Sequence, residues 1–130
     1  MALLGLDYGT RRIGLATEIA GIAMPVSDIA TPTALMELEK VVTERKITGF
    51  VIGLPNHADG RESKETRLMR KFATTLRERF PNLPVHEQDE RFSSSAAYFS
   101  LEEAGIGRKE AGRVDAMAAS IILQDYLDSH

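Results

Sequence analysis

Residues 5–14 read GLDYGTRRIG: an apolar run closing on Asp7, a turn through Tyr8, Gly9 and Thr10, two adjacent arginines, and a second apolar start at Ile13. Leu3, Leu4 and Leu6 show no polar alternation, which predicts a strand over Ala2–Asp7 buried on both faces. A second strand that starts at Ile13 and Leu15 leaves no room for a crossover, so the two must form an antiparallel hairpin. A carboxylate at the end of a buried strand is costly unless it is paired, hydrogen-bonded or bound to a cation. Asp7 is therefore the first candidate functional residue.

The rest of the chain alternates around this hairpin. Ala23–Ala30 reads as a third strand that Pro25 confines to a sheet edge. Thr31-Pro32 reads as a helix cap followed by proline at the first helical position, opening a helix over about Thr33–Arg45. Gly49–Leu54 is a short uninterrupted apolar run, as in a central parallel strand, and Pro55 ends it. A loop over Asn56–Gly60 leads to a basic helix that Pro81 stops, and Leu83–Gln88 makes another short strand. Helices over Ser93–Ala104 and about Glu110–Leu127 complete the chain, separated by Gly105 and Gly107. The pattern predicts a single α/β domain over residues 1–130: a mixed five-stranded sheet, with an antiparallel three-strand start and then parallel strands, covered by helices.

Composition narrows the chemistry. With 43% hydrophobic and 27% charged residues in 130, the chain is an ordinary globular one. It has no cysteine, which removes disulfides, thiolate metal sites and thiol nucleophiles and suits a reducing cytoplasm. No apolar stretch approaches the ~20 residues that cross a bilayer, so no membrane partner is expected. His57, His86 and His130 are scattered, without the pairing a zinc site needs. The net charge of −3 argues against bulk attraction to nucleic acid, but Arg61–Arg79 holds seven Lys/Arg against three Glu. On a helix there, Leu68, Met69, Phe72, Ala73, Leu76 and Phe80 form the buried stripe. Lys64, Arg67 and Lys71 then recur on another face, either as a solvated surface or as contacts to a phosphate backbone.

Two further acidic positions stand out. Winding Val114–Tyr126 at about 100° per residue groups Val114, Met117, Ala118, Ile121, Ile122 and Tyr126 into one stripe, with Asp115 inside it. Asp89-Glu90-Arg91 follows the strand ending near Gln88. Ligands of open α/β sheets collect at the carboxyl ends of parallel strands, where Asp7, Asp89, Glu90 and Asp115 would meet. Carboxylates that close must share protons or hold cations, and Mg²⁺ and Mn²⁺ prefer such oxygen ligands. Each residue also has a plain structural role open to it: Asp7 as a turn acceptor, Glu90 as a partner of Arg91, Asp115 as an acid favoured by a helix start.

The ordered set Leu4-Gly5-Leu6-Asp7-Tyr8-Gly9-Thr10 with Arg12-Ile13-Gly14, Gly53-Leu54-Pro55 with Asp59-Gly60, Asp89-Glu90-Arg91, and Val114-Asp115-Ala116 with Ala118-Ala119 and Ile122-Leu123 resembles the YqgF/RuvX family end to end. These are Holliday-junction-resolvase-like proteins, also described as pre-16S ribosomal RNA nucleases. The chain departs from the family pattern at Asn56-His57, at Ser93-Ser94 where two threonines are usual, and at Glu110 and Ala111, which interrupt a basic run. The resemblance implies a ribonuclease H-like fold, a cytoplasmic protein, and metal-dependent hydrolysis of phosphodiester bonds in ribosome biogenesis or in branched DNA. It implies Asp7, Glu90 and Asp115 as catalytic metal ligands, with Asp89 as a substitute or supporting group. Two ions about 4 Å apart, bridged by Asp7, would serve an in-line displacement. Arg11, Arg12, Lys64, Arg67, Arg108 and Arg113 are the candidates for phosphate contacts. Structured RNA, branched DNA and ribosomal precursor particles are the expected partners, with the chain a monomer or a homodimer.

Two other classes fit parts of the same sequence. A non-catalytic RNA-binding assembly factor would keep the fold and the acids without cutting. Asp7-Tyr8-Gly9-Thr10 followed by a strand also suits the phosphate-binding hairpin of actin-like nucleotide-binding proteins, which use two such domains. If the acids repel one another, Asn at Asp7 or at Asp115 should stabilise or barely change the metal-free fold.

Overall fold

The computed structural model describes residues 2–54, 64–89 and 108–130; for residues 89 and 108–113 it is the backbone that is described. Five strands, β1 (Leu3–Tyr8), β2 (Arg12–Ile19), β3 (Ile22–Ala30), β4 (Gly49–Leu54) and β5 (Val85–Asp89), form one sheet in the order β3-β2-β1-β4-β5. β2 is antiparallel to both β1 and β3, whereas β1–β4 and β4–β5 are parallel. This is the predicted mixed sheet, with the Pro25-containing strand at one edge. Among the described residues, three helices cover it: α1 (Ala34–Arg45), α2 (Lys64–Arg79) and α3 (Arg108–Ser129). Among the described residues, no helix is long and apolar enough to cross a membrane.

The alternation of side chains divides the core into two layers. Leu4 and Leu6, Ile13 and Leu15, and Phe50 and Ile52 project to one face, where Leu38 of α1 and Ala73 and Leu76 of α2 pack on them. Leu3, Ala16 and Val51 project to the other, against Ala119, Ile122 and Leu123 of α3. Burial on both faces is why β1 and β4 read as continuous apolar runs.

α3 lies on the sheet at unusually short range because glycines face it. A Cβ on Gly5 would come 2.7 Å from Leu123 Cβ and 2.9 Å from the Ala119 carbonyl oxygen. Close approach also rotates the buried stripe away from the predicted one. Small residues occupy the contact line, with Ala116 and Ala119 buried, while Met117, expected inside, is 44% exposed. Summed hydrophobicity favours Met at an interface, but a helix seated on glycine backbone has room for little beyond Ala.

Two local expectations change in detail. Thr31–Thr33 forms a 3₁₀ turn, and α1 begins at Ala34. The Thr31 hydroxyl, expected to cap α1, instead donates to the Gly9 carbonyl at 2.7 Å, and the Thr31 N–H donates to the Arg11 carbonyl at 3.0 Å. The end of β3 thereby clamps the turn after Asp7. In α2, Met69, Ala73 and Leu76 are buried as predicted, Thr66 joins them, and Lys64, Arg67 and Lys71 are exposed. The loop over Asn56–Gly60 and the helix expected over Ser93–Ala104 lie outside the described residues.

β2 and β3 are joined through Ala20 and Gly21, at φ 54° and 82°. Two left-handed residues match the twist of a two-residue hairpin, but Ala pays a steric penalty that Gly does not. Ala20→Gly should therefore raise stability by about 0.5–1 kcal/mol, read as a shift in the urea midpoint with unchanged slope.

Candidate active site

The backbone of α3 at Asp115 is brought against the ladder neighbour of Asp7 by a missing side chain. Gly5 faces α3, so Asp7, two residues further along β1, faces it too. Asp7 pairs with Gly14 across the β1–β2 ladder, and residues directly opposite each other project from the same face. A Cβ on Gly14 would lie 1.9 Å from the carbonyl oxygen of Asp115. The backbone of α3 at Asp115 thus fills the place beside Asp7 where any other residue would put its side chain. Asp115 is 7% exposed, and Asp7 is half-buried. Since α3 starts at Arg108, Asp115 sits two turns inside the helix, so the helix-start role open to it from sequence does not apply.

This meeting point is at the carboxyl end of β1. The parallel register Leu6–Ile52 on β4, and Gly53–Gln88 and Leu54–Asp89 on β5, carries the Asp89 backbone to the same end of the sheet. Glu90 lies outside the described residues. Among the described residues, no group of three Asp, Glu or His side chains gathers closely enough to hold an ion. The donor set is nonetheless of the kind a hard cation needs: two carboxylates, one almost fully buried, over glycine backbone, with a further acid next in sequence to the last residue of β5.

Arg12 occupies a place the sequence did not assign to it. Its Nε lies 3.1 Å from Asp115 Oδ2 and 3.6 Å from Asp28 Oδ2. It was expected among the phosphate contacts, and here it is engaged by two acids. Asp28 is the residue that sequence reading missed. Counting back from the Ile19–Ile22 end of the hairpin would set Ser27 opposite Gly14, but the register shifts by one between Leu15 and Ala16, so Asp28 pairs with Gly14. A one-residue slip turns a side chain to the other face. Asp28, Gly14 and Asp7 therefore form one row across three strands beneath α3. Pro25, which cannot donate to the ladder, stands at this irregularity and was the available signal.

Of the other predicted basic residues, three have described side chains and are exposed. Arg11 is exposed in the turn, Lys64 and Arg67 are exposed on α2, and Arg108 and Arg113 lie on the first turns of α3. His86 and His130 both stack on Tyr126, with ring centroids 4.9 and 4.2 Å apart.

The family model described as "RuvX: Holliday junction resolvase" matches residues 1–129. A protein of Maridesulfovibrio salexigens named "Putative pre-16S rRNA nuclease" is 41% identical, over 98% of each chain. One of Rhodobacter capsulatus with the same name is 44% identical, over 98% of this chain and 83% of its own. Among solved structures, Thermus thermophilus RuvC in complex with Holliday junction substrate aligns with a TM-score of 0.59 at 13% identity, covering 99% of this chain and 94% of that one. At that identity the likeness speaks for the fold, which is ribonuclease H-like.

Proposed function

Because the chain belongs to the RuvX family, we propose that it is a divalent-metal-dependent nuclease that hydrolyses phosphodiester bonds in the 5′-end processing of pre-16S ribosomal RNA. The observation that carries this reading is the packing of α3 at Asp115 on Gly14, the ladder partner of Asp7, at the carboxyl end of β1. Asp7, Asp115 and Glu90 would hold Mg²⁺ or Mn²⁺, with Asp89 beside them; when bound, such an ion supplies a Lewis acid and an activated water for in-line displacement at phosphorus. The chain's own contribution is positional. β1 fixes Asp7 through its ladders on both sides, and α3 fixes Asp115 by its contact with Gly14. The burial of Asp115 keeps most water from its side chain and strengthens its attraction for any cation.

Lys64, Arg67 and Lys71 on α2 supply a row of exposed cations for the nucleic-acid backbone. Replacing Lys64 and Arg67 together by Gln should weaken binding of duplex and single-stranded RNA alike. It should also reduce the slope of log K against log salt by about 0.7–0.9 per charge removed, measured by fluorescence anisotropy. An unchanged slope would remove these residues from the interface.

The decisive assay incubates the purified chain with a structured RNA carrying the 16S precursor 5′ end, and with a four-way DNA junction, in Mg²⁺, in Mn²⁺ and in excess chelator. Cleavage of the RNA that chelator abolishes supports the reading. Cleavage confined to the junction moves the substrate to branched DNA, and tight RNA binding with no cleavage in either metal identifies a non-catalytic assembly factor.

A further inference from the structure

The Arg12–Asp28 pair has an arrangement that the hydrolytic reading does not use. Asp115 has the most buried side chain of the three, at 10% exposure, against 29% for Asp28 and 41% for Arg12. A desolvated carboxylate gains more from a cation than an exposed one does. Arg12 therefore serves Asp115 first, at 3.1 Å, and Asp28 shares the same Nε at 3.6 Å. Asp28 reaches this position through the register shift in β3, a device that re-aims a side chain at the cost of ladder regularity.

We propose that Arg12 is a built-in counter-cation that competes with a bound divalent ion for Asp115, and that Asp28 weakens this competition by sharing the guanidinium, so that the pair sets metal affinity. The inference rests on Asp7 and Asp115 as the metal-holding residues. A cation arriving at Asp115 meets a fixed positive charge already in contact with that carboxylate. The long Arg12 side chain can yield, whereas Asp115 on α3 cannot, because α3 is seated on Gly14. Asp28 gives the yielding guanidinium a second carboxylate on the adjacent strand, so its displacement does not leave the charge unpaired. Arg12 and Asp28 thus act on affinity with opposite signs although they touch each other. A merely structural role would make both substitutions weaken the site.

The test measures Mn²⁺ binding to the full chain, by the electron paramagnetic resonance signal of the free ion, with no nucleic acid and no turnover. Arg12→Gln should bind Mn²⁺ on the order of tenfold more tightly than wild type, and Asp28→Asn about threefold more weakly, given unit charges a few ångströms apart at a half-exposed site. Arg12→Lys and Asp28→Glu keep the charges and should stay within about twofold of wild type. Arg12→Gln binding no more tightly than wild type, or Asp28→Asn binding more tightly, overturns the proposal. If Arg12→Gln does not fold, the sign of the Asp28→Asn change decides in the same way. Asp115→Asn separates the two levels of inference. Wild-type affinity in that variant overturns the metal-site reading itself, and lost affinity with the wrong sign at Arg12 or Asp28 overturns the counter-cation alone.

Discussion

Asp7→Asn lowers the rate of metal-dependent cleavage about a thousandfold while leaving the melting temperature in chelator unchanged or slightly raised. The rate figure follows from the several kcal/mol of charge stabilisation that a held ion supplies, at about 1.4 kcal/mol per factor of ten. Asn keeps the shape of the side chain on β1, so the ladders to Gly14 and β4 persist, and removing a negative charge from a site with Asp28 and Asp115 nearby relieves repulsion. Asp115→Asn should lose activity to a similar degree but differ in stability. It breaks the ion pair with Arg12, so the chelated protein should melt lower, by about 1 kcal/mol of stability for a partner that is itself 41% exposed. The expectation that both substitutions leave the metal-free fold intact is kept for Asp7 and, because of the Arg12 pair, revised for Asp115. Single-turnover cleavage of end-labelled RNA with thermal melts of the same preparations checks both. Residual activity equal to wild type in either variant would remove that residue from the site.

How much of this was readable in advance depends on whether periodicity alone carried the information. β4 at Gly49–Leu54 was legible to the residue because burial on both faces erases alternation and leaves a run bounded by Gly and Pro. That both Asp7 and Asp115 lie where α3 meets the β1–β2 hairpin was legible as well. One ends an apolar strand and the other interrupts an apolar helical stripe, and both signals survive small errors in element ends. The buried face of α3 was only half legible. Hydrophobic winding put Met117 inside, but the helix packs on Gly5 and Gly14 at a range that selects Ala116 and Ala119, and a property of the partner surface cannot be seen in the helix's own pattern. Asp28 was not legible, because its facing depends on a register shift, and alternation counted from the Ala20-Gly21 turn gives the opposite face. The role of Arg12 went unread for the same reason, since its second partner could not be placed. Glu90 was read from its place after the strand ending near Gln88, and it lies outside the described residues.

Gly14→Ala is the substitution with the largest expected structural effect per atom added. The new methyl would stand 1.9 Å from the Asp115 carbonyl oxygen and 2.2 Å from its carbon, backbone atoms that no rotamer change can move aside. Either α3 lifts from the sheet or β2 sinks, and each opens part of the layer formed by Ala16, Val51, Ala119, Ile122 and Leu123. Overpacking of this kind costs about 3 kcal/mol, at the upper end of the usual range because the clash is with main chain, and lowers the melting temperature of a chain this size by about 10 °C. The same displacement carries Asp115 away from Asp7, and a shift of about 1 Å at a catalytic group costs about a hundredfold in rate. Gly14→Ala should therefore lose activity and Mn²⁺ affinity even at temperatures where circular dichroism reports a folded chain. Asp28→Asn, which leaves the row of Cβ positions intact, should lose affinity without the 10 °C drop. A Gly14→Ala protein that melts within about 2 °C of wild type would mean that α3 does not rest on β2 at this point, and with it would go the contact that seats Asp115 beside Asp7.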